Sequence, residues 1–323
     1  MSTGCVKKRK LSREGEAAMK LHPAGAFDNS AKKYDHISAL PLASAMGAEI
    51  AGVQVRNIDD RTFAEIEDAL FRHGMIFFRA QDMDLSDLER FTQRFGEFGT
   101  DAYTKGLPGH PHVQQVVKEA DQKTKLIFGG DWHTDSPFLE RPPSISLLLG
   151  VDIPPYGGDT MWANTRLAFH YLSDTMKAML RPLRVYMTAR DVIGFIAEQS
   201  AGHAEKTLGS SVVNLDEKPM IEGWHHPLVR VHPATGEEAL YVDQTYALGI
   251  EGLSEREAEP LLAFLREHIT QPAFTCRLRW QKNTLTLWDN RICLHHAFND
   301  HDGFRREMVR TTVRGEVPAA RQR

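Results

Sequence analysis

The sequence has few cysteines, no long apolar run and no excess of positive charge. Its three cysteines, Cys5, Cys276 and Cys293, lie far apart, which argues against a disulfide framework or a thiolate zinc site. No apolar stretch approaches the roughly 18 residues that span a bilayer, and the N-terminus has no signal-type segment. With 39 basic and 43 acidic residues, the chain lacks the charge that would attract nucleic acid. We therefore expect a cytoplasmic protein whose partner is a small molecule, either a monomer or a homo-oligomer.

The first 33 residues differ from the rest of the chain. They contain the basic run Lys7-Lys8-Arg9-Lys10 among small and polar residues, without sustained apolar periodicity. This composition predicts a mobile tail, because a short charged run at a terminus is usually solvated, although a nuclear-localisation or nucleic-acid patch has the same composition. Residues 34–318 are predicted to form a single domain and residues 319–323 a short tail. The weakly periodic segment 190–224 is a candidate lid.

The first part of the domain combines helix and strand patterns. Apolar residues at helical spacing predict a helix that ends at Gly74, and a short buried strand follows at Met75–Phe78. Ser86 and Glu89 have the spacing of a capping box, which predicts a second helix that Gly96 stops.

Short strands dominate the chain beyond that helix. Strand patterns cover, in chain order, Ile145–Val151, Leu228–His232, Ala239–Val242, Cys276–Trp280, Leu285–Trp288 and Met308–Val313. Helical patterns occur at Thr165–Leu180 and within Ser254–Ile269, where Pro260 predicts a late start or a kink. These elements predict a mostly β fold with flanking helices (α+β), built on two packed sheets of jelly-roll type.

One pair of side chains is placed to bind a metal ion. His133 and Asp135 are two residues apart, so on an extended chain both side chains leave the same face. Such a pair arises about once by chance in a chain of this length and composition, so it needs context. His203 and Glu205 offer the same ligand types, but they lie in the weakly periodic segment.

A third ligand is expected much later in the chain. The run from Leu285 reads as a strand, a turn and a returning segment that ends at His295, with His296 beside it. Neighbouring residues on a strand point to opposite faces, so only one of this pair can bind the ion. Two histidines and one carboxylate leave the other face of an octahedral ion open, as in non-haem Fe(II) oxygenases. A 2-oxo acid can chelate there through its keto oxygen and C1 carboxylate, which leaves one position for O2.

Two arginines follow the distal histidine. Arg306 and Arg310 have an even spacing, which puts both side chains on one face of a strand through Met308. The guanidinium fork can pair the remote carboxylate of a 2-oxo acid through two hydrogen bonds. Because the His-x-Asp pair, the distal histidine and the downstream arginine occur together, the metal interpretation is favoured over unrelated surface residues. Two alternatives remain. A zinc hydrolase would use similar ligands but would give Arg306 no role. A non-catalytic sensor of 2-oxoglutarate would keep the three ligands and Arg306 without turnover.

From about residue 37 to about residue 317, the chain resembles the taurine dioxygenase-like (TauD/TfdA) family of Fe(II)/2-oxoglutarate-dependent dioxygenases. The resemblance rests on the stretches Phe77-Phe-Arg-Ala-Gln, Arg94-Phe-Gly-Glu, Trp132-His-Thr-Asp135, Pro142-Pro, Gly157-Gly-Asp-Thr-Met-Trp162, His232-Pro-Ala-Thr-Gly236, Trp288-Asp-Asn-Arg291 and Arg305-Arg306. It implies a double-stranded β-helix core in a catalytic domain. It also implies oxidation of a small organic anion or zwitterion, usually by hydroxylation, coupled to conversion of 2-oxoglutarate and O2 to succinate and CO2.

The resemblance also implies roles for particular residues. His133, Asp135 and His295 are the implied Fe(II) ligands, because the ligand follows the family's Trp-Asp-Asn-Arg stretch at the offset of His295. Thr160 and Arg306 are implied to hold the distal carboxylate of 2-oxoglutarate.

The resemblance is weaker at the implied substrate pocket. Arg310 lies where enzymes for taurine and alkyl sulfates grip the substrate anion, but Asp101 stands where taurine enzymes carry a sulfonate-binding histidine. A carboxylate there would repel a sulfonate, neutralise Arg310 or bind an amine. Tyr246 and Ile193 replace phenylalanines of the taurine enzymes, and Phe138 is a further candidate wall residue. Taurine is therefore not the expected substrate.

Overall fold

The structure is a computed structural model that describes residues 28–122, 127, 129–199, 207–208, 211–212 and 217–322. The basic run at Lys7, the rival pair of His203 and Glu205, and residues 1–27 of the predicted tail lie outside the described residues. Asn29 belongs to the rest of that predicted tail, and it is buried. Its side-chain amide donates to the carbonyl oxygens of Ala43 (2.6 Å) and Gly47 (3.0 Å). Among the described residues, no helix has the length and apolar character needed to cross a membrane.

The described residues form short strands with interspersed helices. The strands are β1 (Ser38–Pro41), β2 (Ala48–Ala51), β3 (Met75–Phe78), β4 (Gln114–Lys118), β5 (Ile145–Asp152), β6 (Thr160–Asn164), β7 (Arg184–Met187), β8 (Thr207–Leu208), β9 (Ser211–Val212), β10 (Trp224–Pro227), β11 (Val229–Val231), β12 (Glu238–Leu240), β13 (Ala247–Ile250), β14 (Thr275–Leu278), β15 (Leu285–Asp289), β16 (Cys293–Ala297) and β17 (Arg306–Val313). The helices are α1 (Asp60–His73), α2 (Leu85–Gln93), α3 (Thr165–His170), α4 (Asp174–Leu180), α5 (Arg190–Gln199), α6 (Glu217–Glu222) and α7 (Glu255–Ile269), with 3-10 turns at Val55–Asn57 and Pro272–Phe274.

Two sheets carry most of the architecture that matters for the site. The large sheet has seven strands in the order β1-β2-β3-β15-β5-β17-β4, and only the β2–β3 pair is parallel. A three-stranded antiparallel sheet has the order β14-β6-β16. A second three-stranded sheet, β10-β7-β13, and the hairpins β11–β12 and β8–β9 complete the pairings. The predicted sheet-rich α+β architecture is confirmed.

The large sheet has an apolar core on each face, because successive side chains of a strand point to opposite sides. Ile76 and Phe78 of β3 belong to a cluster that includes Leu70 of α1 and the apolar residues of α2. Met75 and Phe77 belong to a second cluster, which includes Trp162 and other residues of the small sheet. The helices α1 and α2 therefore cover the outer face, and the inner face packs toward the small sheet.

The first predicted helix and strand are confirmed, but the capping box is wrong. Helix α1 ends at Gly74, whose φ of 73° suits glycine, and β3 has the predicted bounds. Helix α2 is capped by Asp84, whose carboxylate accepts from the backbone N–H of Asp87 (2.8 Å), while the Asp87 carboxylate accepts from the Asp84 N–H (3.0 Å). The capping residue is therefore Asp84, two residues before Ser86. The helix ends at Gln93, before Gly96.

Two later helix predictions are also corrected. The predicted helix Thr165–Leu180 is two helices, because the Ser173 hydroxyl accepts from the Met176 N–H and starts α4 anew. Helix α7 begins directly after Ser254, so the late start expected from Pro260 is wrong. The Glu257 carboxylate accepts from the backbone N–H and the hydroxyl of Ser254, which fixes the first turn upstream of the proline.

The cap of α2 can be tested by substitution. We expect Asp84→Ala to lower the free energy of unfolding by about 1 kcal/mol, because it removes the acceptor for an otherwise unpaired backbone N–H. Ser86→Ala is the matched control and should change stability much less. Urea denaturation of the two variants measures the difference, and a larger loss for Ser86→Ala would contradict the Asp84 cap.

Candidate active site

Two histidines distant in sequence meet through a backbone pairing. The His133 N–H donates to the His295 carbonyl oxygen (3.0 Å), and the His295 N–H donates to that of His133 (2.7 Å). His295 lies in β16, whereas His133 lies in an irregular segment that turns at Ser136, where φ is 44°. His133 and Asp135 therefore lie outside the strands given above. The side chains still converge, and one ligand atom from each of His133, Asp135 and His295 lies within 4.8 Å of the others.

The orientation of these side chains suits a metal ion. The Asp135 Oδ1 atom lies 3.9 Å from His133 Nε2 and 3.7 Å from His295 Nε2. The carbonyl oxygen of Asp131 is 2.8 Å from His133 Nδ1, so Nδ1 donates there and the Nε2 lone pair faces the cluster. His296 points to the other side of the strand, and its ring packs on Trp132 (5.6 Å between centroids). The structure thus brings His295, and not His296, to the cluster.

Asp135 and His295 hold the protonation states that a metal requires. Burial alone would raise the pKa of Asp135, but the nearby Arg310 guanidinium, the two imidazoles and the Ser146 hydroxyl outweigh it and lower that pKa to about 2. Burial, followed by the neighbouring His133, holds the pKa of His295 well below its ordinary value. At neutral pH the cluster therefore presents a carboxylate and a neutral His295 imidazole, the forms that coordinate metal.

A chain of buried hydrogen bonds fixes the carboxylate. The Ser146 hydroxyl donates to Asp135 Oδ2 (2.5 Å), and the Asn290 amide donates to that hydroxyl (2.8 Å). The Trp288 indole N–H donates to the Asn290 Oδ1 atom (2.9 Å), and the Thr134 hydroxyl donates to the Asn290 carbonyl oxygen (2.9 Å). Sequence reasoning missed Ser146 and gave Asn290 no role, although Asn290 belongs to the Trp-Asp-Asn-Arg stretch that it singled out.

The turn that carries Asn290 is held by a buried ion pair. Asp289 is fully buried and accepts hydrogen bonds from the Arg291 guanidinium (2.6 and 2.8 Å). The His232 ring nitrogen Nε2 lies 2.9 Å from the same carboxylate. Burial would raise the pKa of Asp289, but Arg291 and His232 hold it well below its ordinary value. This pairing fixes the turn between β15 and β16, from which the His295 strand departs.

Arg306 lies in the same cavity as the metal cluster. It is buried, its Nε donates to the Gly158 carbonyl oxygen (3.1 Å), and burial lowers its pKa to about 10. Gly158 has a φ of 66°, and a Cβ atom there would lie 2.9 Å from Arg306 Cδ, so glycine allows this approach. The Thr160 hydroxyl accepts from the Trp280 indole N–H (2.9 Å) and also lines the cavity. No acidic side chain of the described residues forms an ion pair with Arg306, so the site fits an incoming carboxylate.

Arg310 lies between two carboxylates. Its Nη1 donates to Asp135 Oδ1 (3.2 Å), and its Nη2 donates to Asp101 Oδ2. Arg306 and Arg310 both face the cavity from β17, as their even spacing predicted. The structure also brings Asp101 against Arg310, which is one of the arrangements that the sequence left open.

The cavity has a volume of about 430 Å³ and is lined by both sheets and by helix α5. Tyr246 lines it, but Phe138 and Ile193 do not, so these two are corrected as wall residues. Phe138 packs behind Tyr246 (5.2 Å between ring centroids), and Ile193 faces the core from α5. Val192 and Phe195 of the same helix form the wall instead. Periodicity could not identify them, because it does not tell which side of a short helix faces a cavity.

The ligand assignment can be tested by metal binding alone. We expect His295→Ala to weaken Fe(II) binding by more than about 100-fold, since changes beyond the ligands already cost about 10- to 100-fold. His296→Ala should bind Fe(II) almost as the wild type does. Anaerobic titration of the purified variants measures both affinities, and the reverse order would mean that His296 is the ligand.

The hydrogen-bond chain behind Asp135 makes a separate prediction. Asn290→Ala keeps all three ligands but removes the donor to Ser146 and the acceptor for Trp288. We expect its Fe(II) affinity to fall by about 10- to 100-fold while the protein stays folded. Asn57→Ala, at an exposed position, is the matched control. An unchanged affinity in Asn290→Ala would mean that the amide does not orient Asp135.

Known proteins share this architecture and these sequence features. The family model described as "Taurine catabolism dioxygenase TauD, TfdA family" matches residues 38–312. An alpha-ketoglutarate-dependent sulfate ester dioxygenase of Pseudomonas putida is 33% identical over 284 residues, covering 86% of this chain and 89% of that protein. An alkylsulfatase of Acinetobacter baylyi is 32% identical over 282 residues, covering 85% and 84%. The crystal structure of a taurine dioxygenase from Burkholderia xenovorans has a TM-score of 0.72 and 36% identity, covering 88% and 93%.

The extent of these matches decides among the three interpretations of the metal site. The family match spans nearly the whole described domain, and the relatives are covered over most of their length. The ligand set fits the metal of that family, and Arg306, which forms no ion pair with any described acidic residue, fits its co-substrate better than the needs of a zinc hydrolase. The chain belongs to the TauD/TfdA family and is an Fe(II)- and 2-oxoglutarate-dependent dioxygenase.

Proposed function

We propose that this dioxygenase oxidises a small organic anion in the cavity lined by the large and the small sheet. The observation that carries the co-substrate part of the proposal is Arg306, a buried cation that forms no ion pair among the described residues. Asp159 and Asp300 act on Arg306 only from a distance and do not outweigh its burial. A buried charge without a direct ion pair is costly, so such a site favours an incoming anion, here the carboxylate of 2-oxoglutarate. The cavity that holds Arg306 also holds the three metal ligands, so the anion and the metal would meet there.

The site residues divide between the metal and the co-substrate. In our proposal His133, Asp135 and His295 hold Fe(II), while Thr160 and Arg306 bind the distal carboxylate of 2-oxoglutarate. When bound, the iron supplies the chemistry that couples substrate oxidation by O2 to decarboxylation of 2-oxoglutarate to succinate and CO2.

The protein's own contribution is to orient the groups and to exclude water. Ser146 and Asn290 hold the Asp135 carboxylate toward the two histidines. Tyr246, Phe195 and Leu248 give the cavity apolar walls, which keep water from the reacting groups.

Arg310 is the proposed contact for the substrate's anionic group. It is the second cation that lines the cavity. Arg310 contacts the metal ligand Asp135, whereas Arg306 contacts the carbonyl oxygen of Gly158. The relatives named as a sulfate ester dioxygenase and an alkylsulfatase act on organic anions, which supports an anionic substrate here. Because the same cavity of about 430 Å³ must hold 2-oxoglutarate, the substrate is small or medium-sized.

Further parts of the proposal concern architecture and setting. We propose that the large sheet and the β14-β6-β16 sheet form a double-stranded β-helix, since both sheets contribute cavity residues. Segment 190–224 was the candidate lid, and part of it lies outside the described residues. Helix α5 is proposed as a part of that lid, because it contributes Val192 and Phe195 to the cavity wall. We also propose a cytoplasmic location and action without a nucleic-acid partner, and a homo-oligomer is compatible with all of this.

Arg306 provides the decisive test of the co-substrate assignment. We expect Arg306→Leu to raise the 2-oxoglutarate concentration for half-maximal turnover by about 30-fold or more, since a desolvated charge-assisted pair contributes about 2 to 5 kcal/mol. Succinate formation and O2 uptake measure this dependence, and anaerobic titration should find Fe(II) affinity preserved.

A matched control lies at the end of the same strand. Arg314 follows β17 and pairs with Glu97 at an exposed position. Arg314→Leu should leave the 2-oxoglutarate dependence unchanged. If Arg306→Leu also left it unchanged, the carboxylate of 2-oxoglutarate would bind elsewhere and the main argument against a hydrolase would be lost.

A further inference from the structure

Arg310 is not a free cation in this structure. One of its terminal nitrogens donates to Asp135, a metal ligand, and the other donates to Asp101. Its Nε is buried and has no hydrogen-bond partner among the described residues. A guanidinium has five N–H donors, so several remain for a substrate anion. The charge of Arg310, however, is already balanced by the fixed carboxylate of Asp101.

Asp101 is held rigidly in this position. Its Oδ1 accepts from the backbone N–H groups of Tyr103 (2.9 Å) and Thr104 (2.7 Å), and from the Thr104 hydroxyl (3.2 Å). These bonds leave Oδ2 to face Arg310. The Asp101 side chain is only 2% exposed and does not line the cavity, whereas Arg310, which it contacts, does.

We infer that Asp101 is an internal competitor for the substrate anion and thereby sets the charge selectivity of the site. The inference rests on the proposed function, because it takes Arg310 to be the contact for the substrate's anion. An anion at Arg310 must share one guanidinium with Asp101, and two like charges on one buried cation repel each other. The site therefore binds simple anions weakly. It favours substrates whose anionic group carries a spread-out or partial charge, or whose apolar part contributes most of the binding free energy.

Direct recognition of a substrate amine by Asp101 does not fit this geometry. An ammonium group would need an exposed carboxylate oxygen, but the Asp101 side chain is buried, its Oδ1 accepts from the backbone and its Oδ2 faces Arg310. Asp101 thus acts through Arg310, as a specificity-determining positioning residue rather than as a contact residue. Its removal should strengthen the binding of an anion, whereas the loss of a merely structural support would weaken it.

The test compares a charged probe with a neutral one. Asp101→Asn keeps the Oδ1 acceptor for Tyr103 and Thr104 but removes the charge beside Arg310. With Mn(II) as a redox-inert ion and 2-oxoglutarate bound, we expect calorimetry to find hexyl sulfate bound about 10-fold more tightly than by the wild type, since one tenfold step is about 1.4 kcal/mol. Binding of hexan-1-ol, which has the same body without the charge, should not change. Asp101→Ala provides a second variant with the same expected direction.

A control pair lies on the same two segments. Glu97 pairs with the exposed Arg314, four residues before Asp101 and four after Arg310 respectively. Glu97→Gln removes a carboxylate from a neighbouring arginine without touching the cavity, so it should leave hexyl sulfate binding unchanged. An equal gain in Glu97→Gln would overturn the inference, because it would reveal a general effect of net charge.

Turnover separates the failure of this inference from that of the proposed function. With alkyl sulfates and alkanesulfonates as substrates, Asp101→Asn should lower KM and leave kcat nearly unchanged. An unchanged or raised KM in a folded variant would overturn the competitor role. If neither protein oxidised any of these anions, the proposed substrate class would fail, and the calorimetric comparison would still decide the role of Asp101.

Discussion

The active site depends on the pair of backbone hydrogen bonds between His133 and His295. These bonds join an irregular segment to β16, and they set the distance between the two imidazoles before any metal binds. Asp135 lies in the same segment as His133 and is fixed by Ser146 on β5, so ligands from two parts of the chain, supported by a third, reach one point. A metal site with only three protein ligands needs this support, because three ligands constrain one another less than a full coordination shell would.

Charge is concentrated in the cavity and is only partly balanced by the protein. Arg310 is paired with Asp101 and Asp135, whereas Arg306 has no acidic partner among the described residues. The pairing of the first arginine and the exposure of the second to the cavity give the two cations different tasks. Arg306 is available to bind the carboxylate of the co-substrate, whereas the charge of Arg310 is already balanced by carboxylates of the protein.

Both faces of the large sheet pack into apolar cores, but only the inner face also carries the site's arginines. The outer face packs against α1 and α2 through a cluster that contains Leu70, Leu88 and Val309. The inner face carries Arg306 and Arg310 between apolar residues such as Met308, which packs in the other cluster. Since β17 alternates between these faces, one strand anchors the helices with one set of side chains and offers two cations to the cavity with the other.

The sequence by itself determined the residue types of the metal site and many of the strands. His133, Asp135, the even spacing of Arg306 and Arg310, and strands such as Met75–Phe78 follow from local patterns of period two and from ligand chemistry. The Asp84 cap was missed because two acceptors stood close together, and only the backbone geometry chose between them.

Only the tertiary structure decided how distant residues meet. Local patterns cannot tell that Asn290 reaches Ser146, that Asp101 balances Arg310, or that Phe195 rather than Ile193 lines the cavity. Each of these contacts joins segments that are far apart in the chain or selects one side of a short helix. The physical reason is that such contacts are set by the packing of whole sheets and helices. That packing depends on many distant segments at once, so no single stretch of sequence determines it.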